Sequence, residues 1–166
     1  IALEITKSDL DSCSIVLGYQ SDKVADVIKD LNINLILNPL WKEGQASSLK
    51  VALNSLTSSY SDLLIMLGDL PGIKSGHINR IIEEHLSSGN RRSKITIPSF
   101  KGEKGNPVIW GKSFFHDLSN LEGDVGGRVL FGQHPAAINL IEMDDPSVVT
   151  DTDTPEDFES YLTNRA

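Results

Sequence analysis

Asp69 closes the run Leu63-Leu64-Ile65-Met66-Leu67-Gly68 and is followed by Leu70-Pro71-Gly72. An unbroken apolar run of this length reads as a strand buried on both faces of a parallel sheet. Open α/β sheets bind their ligands outside the carboxyl ends of such strands. An acid at that place is either a solvated turn residue or a ligand for a metal ion or substrate. A second acidic group lies at Asp151-Thr152-Asp153-Thr154-Pro155-Glu156-Asp157. Glu156 and Asp157 complement the dipole of a helix that starts with Thr154 as N-cap and Pro155 at the first position. Asp151 and Asp153 precede the cap and have no such role; their alternate spacing puts them on one side of an extended segment. Facing Asp69 across a cleft, one of them would complete an all-oxygen site for Mg2+, which takes one or two carboxylates plus substrate phosphates.

Three further segments have the composition of anion sites. Gly44-Gln45-Ala46-Ser47-Ser48 opens a helix, where free amide groups and two hydroxyls suit a phosphate; Ser47 or Ser48 acting as a plain N-cap explains the same residues. Gly102-Glu103-Lys104-Gly105-Asn106-Pro107-Val108 brackets Lys104 and Asn106 with glycines, so the backbone can approach a ligand closely, although a turn between strands has the same composition. In Gly123-Asp124-Val125-Gly126-Gly127-Arg128, Asp124 reads as the cap of a helix containing Arg128, whose guanidinium would face a phosphate or a neighbouring acid. Trp41 reads as a packing residue. The four histidines lack ligand spacing, and His77 and His85 read as helix-surface residues. Zinc clusters, a nucleophile elbow and a Gly-x-x-x-x-Gly-Lys loop are all missing.

The elements that must carry these residues alternate. Strands are expected at Ser14–Leu17, Ile33–Leu37, Leu63–Leu67, Lys94–Ile97 and Ala136–Ile141. Helices are expected at Ser21–Leu31, with Val24, Val27, Ile28 and Leu31 inward, at Ser47–Leu56 and at Ser75–Leu86. The glycine-rich stretch from Gly102 to Gly132 reads as loops and short elements laid over a sheet. The alternation predicts one three-layer α/β domain with a largely parallel sheet.

Composition narrows the function. A formal charge of −8 over 166 residues leaves no basic stripe for nucleic acid, and Arg91-Arg92-Ser93-Lys94 reads as a helix-end and loop cluster. Cys13, the single cysteine, cannot form an internal disulfide and reads as a buried thiol. The absence of a membrane-length apolar run and of a signal peptide gives the expectation of a cytoplasmic protein with no membrane partner.

Taken in order, Val16-Leu17-Gly18, Asn38-Pro39 with Trp41, Gly44 and Ser47-Ser48-Leu49, Leu67-Gly68-Asp69-Leu70-Pro71, Gly105-Asn106-Pro107-Val108, Gly123–Arg128 and Asp151–Asp157 resemble the MobA-like nucleotidyltransferases. The resemblance spans nearly the whole chain and is nearest the molybdenum cofactor cytidylyltransferases. It implies a three-layer Rossmann-like fold of the nucleotide-diphospho-sugar transferase kind. It also implies transfer of CMP from CTP, or GMP from GTP, to the phosphate of molybdopterin, with release of pyrophosphate. Asp69 would then hold Mg2+ against the triphosphate, with Asp151 or Asp153 as second carboxylate. Gly18 would lie near the base, and Gly44, Ser47, Ser48, Gly105, Asn106, Asp124 and Arg128 would face the pterin-phosphate acceptor. A molybdenum hydroxylase or its chaperone would be the downstream partner. Such chemistry needs in-line positioning and charge neutralisation rather than a protein nucleophile, which matches a chain of carboxylates and glycine turns.

The sequence departs from the family at its start. The family's opening strand and loop, Leu-Ala-Ala-Gly-x-Ser-x-Arg-Met-Gly, have no counterpart after Ile1, and Ile1–Lys7 reads as the end of the helix that follows that loop. An N-terminally truncated chain is therefore expected, inactive as written, with a gap in its sheet. The competing readings are transfer to another phosphorylated acceptor and a non-catalytic module that binds pterin or nucleotide.

Overall fold

The computed structural model describes residues 1–56, 60–152 and 154–163. Its elements run α1 (Ala2–Ile5), β1 (Ser14–Leu17), α2 (Ser21–Ile28), β2 (Asn34–Leu37), α3 (Gln45–Ser55), β3 (Asp62–Ile65), α4 (Ser75–Ser87), β4 (Ile95–Phe100), β5 (Glu103–Lys104), β6 (Val108–Gly111), α5 (Phe115–Ser119), β7 (Ile138–Glu142) and α6 (Pro155–Thr163), joined in places by short 3₁₀ turns. The expected strand–helix alternation holds as far as β4.

Among the described residues the strands form two sheets. β1 and β2 pair in parallel, from Ser14 opposite Asn34 to Leu17 opposite Leu37. The second sheet has the order β3-β6-β4, with β7 parallel to β4 and the short β5 pairing antiparallel with the end of β4 at Ser99 and Phe100. β3, β4 and β7 share one direction, the parallel frame expected from the sequence. β6 runs against it because the chain leaves β4 by a tight turn, with Lys101 at φ 51° and Gly102 at φ 83°. So short a connection can only return antiparallel, and the sheet is mixed. Among the described residues no ladder joins β1 to β3.

The five-stranded sheet is packed on both faces. Ile95, Ile97, Val108 and Trp110 bury one face with Ala46, Leu49, Phe114, Leu118 and Phe131. Ile109 and Ile141 bury the other with Leu70, Ile73, Ile78 and Ile81. Alternation along β4 and β6 sends neighbouring residues to opposite layers, which yields the three-layer α/β arrangement.

Local expectations fail in two places. α2 ends at Ile28, its one buried residue, and Val24 and Val27 face solvent because the helix has only the small β1–β2 sheet to lie against. His85 is buried, not on a helix surface: Nδ1 is 2.8 Å from Thr96 Oγ1, and Nε2 is 3.1 Å from Asp62 Oδ1. Arg91 Nε meets the other oxygen of Asp62 at 3.1 Å. Buried polar atoms need such partners, and this network ties α4 to β3 and β4. Among the described residues, no helix is long and apolar enough to cross a membrane.

α1 is docked by charge. Glu4 accepts from the Ser75 N–H (3.0 Å) at the start of α4 and from Lys7 Nζ (3.0 Å). The backbone bond from Ser75, then that from Lys7, bring its carboxyl from 4.5 down to about 2. A lowered folded value means stabilisation that is complete above the unfolded pKa and lost as pH falls through the folded one. Glu4→Gln should therefore melt below wild type at pH 7, and the difference should vanish as the pH approaches about 2. Thermal scans across that range check it.

Candidate functional site

Ser12 Oγ and Tyr60 Oη are 2.9 Å apart, so the segments leading into β1 and β3 meet. Contacts running from Gly18–Trp41 through Gly44–Asp124 and Arg128–Lys104 to the end of β4 link the carboxyl ends of the strands. The residues singled out in the sequence gather there in a chain of contacts.

Asn38, just past β2, is fully buried. Its Nδ2 donates to Ser47 Oγ (2.8 Å) and Ser48 Oγ (3.1 Å), and its Oδ1 accepts from the Leu40 N–H (3.0 Å). Ser47 Oγ lies 3.0 Å from Leu40 O and 2.8 Å from Gly44 O. These hydroxyls brace the 38–48 loop. The open amide cradle expected at the start of α3 is already filled by the chain: Gln45 N–H donates to Asp124 Oδ1 (3.1 Å) and Ala46 N–H to Gly123 O (3.2 Å). Asp124 thus caps α3 from a distant loop, whereas the sequence reading gave it to the helix of Arg128. A Cβ on Gly44, at φ +98°, would come within 2.5 Å of Asp124 Cα. Gly44→Ala should cost about 1–3 kcal/mol for the backbone conformation alone and separate the two loops, a loss readable in denaturant unfolding.

The same loop continues to Arg128, whose Nη2 donates to Lys104 O (2.6 Å), while Lys104 Nζ lies over the Phe131 ring. The turn before Lys104 is held by Glu142, which accepts from Ser99 Oγ (2.7 Å) and the Lys101 N–H (2.6 Å). The Ser99 hydroxyl above all, with the Lys101 N–H, keeps the Glu142 carboxyl below the usual carboxylate range. Beyond Lys104, Gly105 packs against the Val148 carbonyl, and the Asn106 N–H donates to that carbonyl at 2.8 Å. This strap carries the chain toward the second acidic turn.

That turn is seated on Asp69. Thr152 donates to Asp69 O twice, from its N–H (2.9 Å) and from Oγ1 (3.2 Å). Asp69 is half-buried, Asp151 is exposed and Asp153 lies outside the described residues. The sequence reading quoted Asn38 and Thr152 only as parts of longer segments and gave no role to Glu142; their partners lie on other elements, which no local pattern reveals. Gly18 ends β1 beside Trp41.

The donors at Asp69 and Asp151 are oxygens. Among the described residues no set of three or more His, Cys, Asp or Glu gathers into a metal cage. Carboxylate oxygens are the donor type of a hard cation, which takes its remaining ligands from substrate phosphates and water. A depression of about 500 Å³, lined by Asn90, Lys94, Phe114, Gln133 and His134 among others, lies at the amino ends of β4 and β7, the opposite pole.

A family model described as the MobA-like NTP transferase domain matches residues 2–138. Among curated proteins, the chain is 23% identical over 112 residues to the bifunctional protein GlmU of Prochlorococcus marinus, covering 68% of this chain and 24% of that protein. It spans about a quarter of the length of the curated relatives it matches. Among solved structures, the Mycobacterium tuberculosis Rv0371c homologue from Mycobacterium sp. strain JC1 superposes with a TM-score of 0.81 at 24% identity, over 98% of this chain and 79% of that one. Rv0371c of M. tuberculosis in complex with manganese gives 0.78 at 22%, over 98% and 83%. Molybdopterin-guanine dinucleotide biosynthesis protein A of Archaeoglobus fulgidus gives 0.59 at 14%, over 91% and 79%. At these identities the structural likeness establishes the fold.

Proposed function

The chain belongs to the MobA-like NTP transferase domain family, and on that premise we propose that it transfers CMP from CTP to the phosphate of molybdopterin, releasing pyrophosphate. The observation that carries this reading is the double hydrogen bond from Thr152 to the Asp69 carbonyl, because it brings the two acidic turns to one strand end. Asp69, with Asp151 or Asp153, would hold Mg2+. When bound, that ion supplies charge neutralisation and a template for the phosphates. The manganese complex of Rv0371c supports a divalent cation in this fold.

The protein's own part is positioning. Asn38 and the Gly44–Asp124 contact fix the wall beside the strand ends. Arg128 and Lys104, at the rim of that wall, offer cationic side chains near where an acceptor phosphate would approach. Attack of a phosphate oxygen on the α-phosphorus needs this alignment and no protein nucleophile. A cytoplasmic location and hand-over to a molybdenum hydroxylase or its chaperone belong to the same reading.

The match to GlmU supports a second reading, nucleotidyl transfer to a different phosphorylated acceptor. Incubating the full-length protein and Mg2+ with molybdopterin and an equimolar mixture of CTP and GTP separates the possibilities. The expected product is the cytosine dinucleotide of molybdopterin. A predominantly guanine product overturns the choice of nucleotide, and no pterin product from either overturns the acceptor.

A further inference from the structure

Trp41 opens a 3₁₀ turn just after β2. A Cβ on Gly18 would come within 2.5 Å of Trp41 Cβ and 2.9 Å of its Cγ, so the lack of a side chain at 18 is what lets the indole lie across the end of β1. The Tyr19 ring meets it with centroids 5.4 Å apart at 53°, and Lys42 Nζ lies 5.5 Å from the indole centroid. The turn carrying Trp41 ends at Gly44, which packs against Asp124. Yet Trp41 is 37% exposed and Tyr19 68%, while Trp110 in the core is 1% exposed. The two rings keep exposed surface beside the carboxyl end of β1, the side of the sheet on which open α/β folds take their ligands.

We propose that Tyr19 and Trp41 form a stacking platform for a planar heteroaromatic ring of a substrate, a proposal that rests on the nucleotidyl-transfer reading above. The ring belongs to the nucleobase or to the acceptor's pterin, which share flat π-faces that stack on aromatic side chains without regard to sequence or substituent. Trp41 is thereby a ligand contact, where the sequence suggested packing.

The protein contains two tryptophans. When CTP or a soluble pterin is added to the full-length protein, the part of the emission change that Trp41→Phe removes reports Trp41. Saturable quenching by one of the two is expected. Tyr19→Leu should raise the Kd and KM for that ligand about 10-fold and leave the KM for the other unchanged, whereas Tyr19→Phe should behave as wild type. Tyr19 is exposed, so these variants retain the fold, which thermal melting confirms. Quenching by CTP assigns the ring to the base; quenching by pterin assigns it to the acceptor. If neither ligand quenches Trp41, or Tyr19→Leu leaves both Kd values unchanged, the platform is overturned, and CMP transfer that persists leaves the proposed function standing. Quenching that persists where no transfer occurs supports the platform and counts against the transfer reading.

Discussion

Asp69→Ala in the full-length protein is expected to lower CMP transfer by at least ~10²-fold, the loss typical of removing a key electrostatic stabiliser from an active site. The substitution removes the carboxylate and leaves the backbone carbonyl that receives Thr152, so the acidic turn keeps its seat. Asp69→Asn preserves the size of the side chain and removes its charge. An equal loss in both variants, with cooperative melting retained, assigns the effect to charge. Asp151→Ala and Asp153→Ala measured beside them identify the second carboxylate, since the true partner should raise the Mg2+ concentration needed for half-maximal rate. Near-wild-type turnover in Asp69→Ala sinks the metal assignment. The measurement is steady-state release of pyrophosphate at saturating CTP and pterin acceptor.

Trp110→Ala should show the largest loss of stability, about 3–5 kcal/mol, as for other buried large aromatics cut to alanine. Trp110 is 1% exposed on β6, stacks on Phe131 with centroids 5.6 Å apart and meets Phe114 edge-on at 6.2 Å. It also supports the site wall, because a Cβ on Gly127 would lie 2.5 Å from Trp110 Cζ2. Gly127 is the neighbour of Arg128, so the cavity left by alanine loosens the segment that carries the guanidinium. The expected signature is a Tm lower by roughly 10 °C and, below the melt, a KM for the acceptor that rises more than kcat falls. An unchanged acceptor KM would separate the core from the Arg128 segment.

The frame of the molecule was legible in the sequence because apolar runs and their stops are local signals. Leu63–Leu67 with Gly68-Asp69 marked both a sheet strand and its chemical end, and Asp151-Thr152-Asp153 marked the opposite turn. β6 was hidden by the glycines around it, and its antiparallel direction follows from a turn at Lys101–Gly102 whose length composition does not reveal. His85 has the surroundings of a surface residue in the sequence; its burial depends on Asp62 and Thr96, brought to it from two strands. Asp124 illustrates the same limit. Its cap on α3 links residues 79 apart in sequence, and no local pattern distinguishes that from capping its own turn. The resemblance named these residues as a group, and the hydrogen bonds divide them into those that brace the wall (Ser47, Ser48, Asp124) and those at the strand ends nearer the candidate chemistry (Asp69, Asp151).

Release of pyrophosphate from CTP by the full-length protein, with molybdopterin and with Mg2+ added or removed by EDTA, tests the central claim most directly. The expected result is stoichiometric pyrophosphate and cytosine dinucleotide only when CTP, acceptor and Mg2+ are all present, abolished by EDTA and restored by Mg2+ in excess. Undiminished release in EDTA, or none with every component present, would contradict it.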